Sequence, residues 1–201
     1  MAYSVRTSIR AERITSHLVK KFLYFITFIL LTNFPAISEN KTDQLNELFL
    51  KLKAEQNIFI ASKIESKIWK LWTTHPTEPK LTELLAEGSY YMSQNQLANA
   101  HEMFSKVIEL DPNWAEAWNK RATVLYLMGK YELSQNDIDK VLSLEKRHFG
   151  ALSGQGLVQL SLKNYQIAIE SYVEAHKIYP AMESPIIMIE RLKKLINNET
   201  V

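Results

Sequence analysis

Apolar positions in residues 43–72 recur three and four apart: Leu45, Leu48, Phe49 and Leu52, then Ile58, Ala61, Ile64, Ile68 and Trp72. Each set falls on one face of a helix, which predicts two amphipathic helices over 43–54 and 57–72. At the other end, Ile186, Ile187, Ile189, Leu192 and Leu195 predict a last helix of the same kind. Ser184 is its expected N-cap and Pro185 its first helical residue, while Lys193 and Lys194 suit its negative end. Residues 73–80, with Pro76 and Pro79, read as a linker.

Between these segments the pattern repeats every 34 residues. Gly88, Ala122 and Gly156 share a column, as do Leu84, Trp118 and Leu152, and Ala100, Ser134 and Ala168. Phe104, Ile138 and Tyr172 form a large column, and Leu110, Leu144 and Ile178 another. Pro112 and Pro180 share a column that Lys146 interrupts. The units are 81–114, 115–148 and 149–182, each with two helical stretches joined by a polar turn at 93–96, 128–130 and 162–164. The small columns let paired helices approach closely, and the large ones fill the space between turns. One such hairpin cannot bury its apolar face alone, so the units are expected to stack.

The first unit carries Leu84, Glu87, Gly88, Tyr91, Ala100, Phe104 and Pro112 in order, and the second supplies Trp118. In period and in small/large order this resembles the tetratricopeptide repeat. The resemblance covers 81–182 and implies an all-α, right-handed α-solenoid of three helix hairpins. Residues 39–80 are expected to cap its N-terminal end and residues 183–201 its C-terminal end. Ser134, Lys146 and Gln159 depart from the family pattern, and Gln159 puts a polar group where packing is expected, which predicts a looser interface there. The chain as a whole is similar to exported tetratricopeptide proteins of Gram-negative bacteria.

Export is also suggested by residues 1–38. Arg6, Arg10, Arg13, Lys20 and Lys21 face one acid, Glu12, and are followed by an apolar run over 22–31, then Asn33, Pro35 and the small residues Ala36 and Ser38. Basic, apolar, then small is the order of a secretory signal, and the run is short of the roughly 20 residues a spanning helix needs. Cleavage near Ser38 would leave a periplasmic or secreted protein. Without it, the same segment would be an inner-membrane anchor with the rest facing the periplasm. The full chain has a net charge of +2; without 1–38 it has 19 basic and 21 acidic residues, so nucleic acid has no electrostatic claim on it. Apolar residues make up 46% of the chain, enough for a real core, and the absence of cysteine excludes disulfides and thiolate chemistry.

No motif assembles a catalytic set. His101 and Glu102 lack a histidine at residue 105, Gly154 and Gly156 lack a third glycine at 159, and Gly150 to Gly154 has the wrong spacing for a nucleophile elbow. His75, His101, His148 and His176 are read as exposed or packing side chains, so neither metal nor cofactor is expected. Arg121 and Asp137 are expected to pair within the second hairpin. The Asn40 and Asn198 sequons carry no meaning in a bacterial protein.

By the resemblance, the first helix of each unit lines a concave groove. Carried over column by column, the groove shows Leu85, Ser89 and Met92, then Asn119, Thr123 and Tyr126, then Ser153, Leu157 and Leu160. That lining is mixed and uncharged. Of the lysine-and-asparagine clamp some family members use for a C-terminal carboxylate, Asn119 and Lys120 are only a fragment. Leu157 and Leu160 could instead be covered by the last helix. The expected function is a non-enzymatic scaffold or adaptor holding a protein or peptide segment in the groove. The alternatives are a membrane-anchored, self-associating envelope protein and, after it, an envelope hydrolase.

Overall fold

The computed structural model of the protein describes residues 41–199. Residues 44–199 fold as one compact unit; of the preceding unit the described part is 41–43, which is helical. The expected signal segment lies outside the described residues. All regular structure in the described residues is α-helix. We number the helices α1 (41–54), α2 (Ile58–Thr73), α3 (Pro79–Ser93), α4 (Leu97–Leu110), α5 (Ala115–Leu127), α6 (Tyr131–Leu144), α7 (Phe149–Ser161), α8 (Tyr165–Ile178) and α9 (Glu183–Glu199).

Helices α3/α4, α5/α6 and α7/α8 are the three hairpins, and each packs on the next. Every hairpin turns through one left-handed residue at the same column: Asn95 (φ 56°), Gly129 (φ 74°) and Lys163 (φ 62°). The following amide closes the turn in each case, from Gln96 to Tyr91 O (2.9 Å), from Lys130 to Leu125 O (2.9 Å) and from Asn164 to Gln159 O (2.8 Å). These bonds satisfy carbonyls at the helix end that would otherwise be unpaired.

The small and large columns meet inside each hairpin. A Cβ at Gly88 would stand 2.6 Å from the Phe104 ring, and one at Gly156 2.5 Å from the Tyr172 ring. Glycine is required wherever the facing residue is a ring. In the middle unit Ile138 faces the same column, and Ala122 fits, buried, with Ser134 Oγ donating to its carbonyl at 2.7 Å. Gln159 does not loosen its interface. It is buried, donates to Gln135 Oε1 (2.7 Å) and accepts from Asn164 Nδ2 (2.8 Å), so both ends of its amide are satisfied. The Arg121 and Asp137 pair forms as two parallel bonds of 2.7 and 2.8 Å.

The hairpin α1/α2 is placed differently from the expectation. It does not serve as a lid on the first repeat but docks along the edge where successive repeats join. Trp72 stacks on His148, rings 4.0 Å apart and 6° from parallel, and its carbonyl accepts from Trp114 Nε1 at 2.8 Å. Tyr179 donates to Glu65 at 3.1 Å, and Phe49, Leu52 and Ile68 pack with Phe149 and Ala181. The physical reason is an aromatic ledge. Trp114 and His148 occupy one column of the repeat, and Phe149 and Tyr179 extend it, giving Trp72 and Phe49 rings to pack against.

Helix α9 caps the far end, with Ile189 and Leu192 packed against Ala168, Ile169 and Tyr172. It begins at Glu183, ahead of the expected Ser184 N-cap, and Pro185 still falls in the first turn, where a missing amide hydrogen costs nothing.

Candidate partner-binding groove

The first helices of the three units, α3, α5 and α7, carry the nine residues expected in the groove, and the structure sorts them. Leu85 is 2% exposed and belongs to the core with Trp114 and Ala117, so it is not groove lining. Ser89 is half-buried and bonds back to Leu85 O, and Met92 packs partly against the same core. Leu160 is drawn into the cluster beneath α9, whereas Leu157 is free of it and 38% exposed. Ser153 keeps a buried hydroxyl with no hydrogen-bond partner.

Asn119, Thr123, Tyr126 and Leu157 do come together. They line a cleft of about 70 Å³ between α5 and α7, completed by Ala122, Gly150, Ala151, Gly154 and Val158, with Ser134 and Ile138 from α6 beneath. Thr123 is exposed and bonds back to Asn119 O at 3.0 Å; Tyr126 is half-buried with its ring 5.6 Å from Tyr131. Sequence columns missed the small residues of α7. The signal was present as Gly150, Ala151 and Gly154, a run on the inner face of that helix.

Below the cleft lies a buried polar cluster. Glu116, 1% exposed, accepts from His148 Nε2 at 3.0 Å and from Asn119 Nδ2 at 3.1 Å. Lys120 Nζ stands 3.4 Å from the other carboxylate oxygen and 6.0 Å from the centre of the Trp69 ring. His148 Nδ1 accepts from the Ala151 amide, capping α7, so its donor is Nε2–H. His75 repeats the arrangement, accepting from Glu78 N and meeting Asp111 through Nε2 at 2.9 Å. Both histidines contact tryptophan; His148 caps α7, and His75 ties the turn ahead of α3. Asn119 and Lys120, the clamp fragment, face a carboxylate that the chain supplies itself. Among the described residues no three His, Asp or Glu side chains gather as metal ligands.

Comparison with known proteins agrees with this architecture. The tetratricopeptide repeat profile matches residues 84–113 and 115–148. A TPR repeat-containing protein of Rhizobium etli is 32% identical over 164 residues, which cover 81% of this chain and 80% of that one. Among solved structures, the first TPR domain of Spaghetti (RPAP3), bound to HSP90 peptide SRMEEVD, is similar with a TM-score of 0.57 at 18% identity, over 59% of this chain and 94% of that one. MamA is similar with a TM-score of 0.56 at 21% identity, over 68% and 77%. With three in-phase hairpins and a relative of this extent, the chain belongs to the tetratricopeptide repeat proteins.

Proposed function

We propose that this protein is an exported, non-enzymatic scaffold that holds an extended segment of a partner protein on the inner face of its repeats. The observation that carries the reading is the open cleft between α5 and α7, where Thr123, Tyr126 and Leu157 remain accessible while Leu85 is built into the core and Leu160 packs beneath α9. Tyrosine on such a face offers a large contact area and a hydroxyl, a combination favoured at binding hot spots. Peptide binding by the similar domain of Spaghetti supports the same use of the fold. The basic, apolar and small order of residues 1–38 supports export and cleavage near Ser38. No helix among the described residues is long and apolar enough to cross a membrane.

A second reading, self-association, is favoured by the tip of the α1/α2 hairpin, where Leu50 and Phe59 are 73% and 67% exposed. One experiment separates the two. Protein is cross-linked in the native host, recovered, and compared between wild type and Tyr126→Ala, with intact mass read on the same material. Export gives a chain starting at Glu39, and the groove reading expects partners to be lost in Tyr126→Ala while helicity is kept and melting shifts only by the loss of the Tyr131 contact. Equal recovery by both forms rejects the groove, and recovery of the chain alone favours self-association.

A further inference from the structure

The chain has five glycines, and the fold makes use of four. Gly88 and Gly156 admit the Phe104 and Tyr172 rings, Gly129 takes a left-handed turn, and a Cβ at Gly150 would stand 2.7 Å from Trp69. Gly154 is different. It lies inside α7 with ordinary helical geometry, and a Cβ there would meet only Ile138 Cδ1, at 3.8 Å, an ordinary contact. Alanine would fit and would favour the helix. The one thing a side chain at Gly154 would occupy is the cleft between α5 and α7.

A second observation points into the same cleft. Asn119 lines it and is 9% exposed. Its amide nitrogen is committed to Glu116, while its oxygen Oδ1 has no partner within the chain. That oxygen is not sealed from solvent, so it stands as an acceptor open to a bound segment. The surroundings carry no charge to offer an anion. Lys120 faces Glu116, and Arg121 is held by both oxygens of Asp137. The remaining lining is aliphatic, aromatic or hydroxyl.

We propose that this cleft is a side-chain pocket, held open by Gly154, that takes one aliphatic side chain of an uncharged partner segment whose backbone N–H donates to Asn119 Oδ1. The proposal rests on the groove reading and adds its specificity. A pocket of about 70 Å³ suits a branched aliphatic group and is too small for an aromatic ring. A partner ending in acidic residues, such as the SRMEEVD peptide bound by the similar domain, would bring carboxylates to a cleft whose lining holds no cation.

The test uses the full chain and a panel of acetylated, amidated peptides of about nine residues in an uncharged Ser/Thr/Gln/Ala host. The central residue is Gly, Ala, Val, Leu, Phe, Asp or Lys, and free-acid SRMEEVD is the anionic comparison. Wild type is expected to favour Val and Leu over Gly, Asp and Lys by about tenfold, the discrimination one or two buried methylenes supply, and to leave SRMEEVD unbound. Gly154→Ala should melt roughly 1–4 °C higher and lose that preference. If Gly154→Ala keeps the preference, or if wild type binds no panel peptide or binds SRMEEVD as well as the Leu peptide, the pocket is overturned. Tyr126→Ala separates the levels: preference kept in Gly154→Ala but binding lost in Tyr126→Ala rejects the pocket and leaves the groove, whereas binding kept in both rejects the groove as well.

Discussion

Tyr172 shows what the repeat asks of single residues. Its ring fills the space over Gly156, which the packing needs, but its hydroxyl is buried without a hydrogen-bond partner. Burial, and then the neighbouring Tyr126, push its pKa up to about 12. Tyr179, at the hairpin dock, is also pushed up to about 12, by burial first and then by the Glu65 carboxylate it donates to. Both folded values lie above tyrosine's ordinary value of 10, so the folded state holds these protons more tightly than the unfolded chain does. Their contribution to stability is therefore complete below pH about 10 and is lost as pH rises toward 12. Denaturant midpoints should be level through neutral pH and fall steeply over that alkaline window. Tyr172→Phe should leave the neutral-pH midpoint unchanged or raise it, since it removes an unsatisfied buried hydroxyl, and should flatten the alkaline fall. A large loss of stability at neutral pH would mean that the hydroxyl has a partner after all. The pairing of Gly156 with Tyr172 was legible in the columns, because a helix glycine at fixed distance from a ring has few other uses. The fates of Leu85 and Asn119 were not. A column assigns a residue to a helix face, but which part of that face a neighbour covers depends on the chain outside the repeat.

At the scale of elements, the same limit explains the α1/α2 hairpin. Its two helices were readable from apolar spacing, but an amphipathic stripe does not say which surface it will meet. The available clue lay in the repeat itself: Trp114 and His148 put large flat side chains in one column at the joining edge. Trp72 joins the hairpin to both, stacking on the imidazole and accepting from the other indole. Trp72→Ala deletes a side chain that is 5% exposed, and truncating a buried aromatic costs about 3–5 kcal/mol. Because the three repeats have cores of their own, the loss should be local. Hydrogen exchange is expected to speed up across 44–73 in this variant while α5 to α8 remain protected, and the linker after Thr73 should become a site of early proteolysis. Uniformly faster exchange over the whole unit would instead show that hairpin and repeats unfold together.

At the scale of the whole molecule, a stack of hairpins leaves an unsatisfied face at each end, and stability depends on how each is closed. The last hairpin is closed by α9, which the sequence announced through its own stripe of Ile189 and Leu192. Those two residues are 8% and 2% exposed, over Ala168, Ile169 and Tyr172. The same helix removes Leu160 from the groove, so closing the stack also sets where the accessible inner face stops. Leu192→Ala should cost about 2–5 kcal/mol, the range for a buried leucine. A chain ending at Met182 would expose the apolar surface of α8 outright, and such a surface invites a second copy of itself. That truncated chain is expected to melt lower than wild type and to show a mass in light scattering that rises with concentration, with wild type as the reference. Leu192→Asp should behave in the same direction, since it places an unpaired charge in the same contact. Equal melting and a concentration-independent mass for all three variants would mean that the repeats close themselves, and that α9 is held in place for some purpose other than capping.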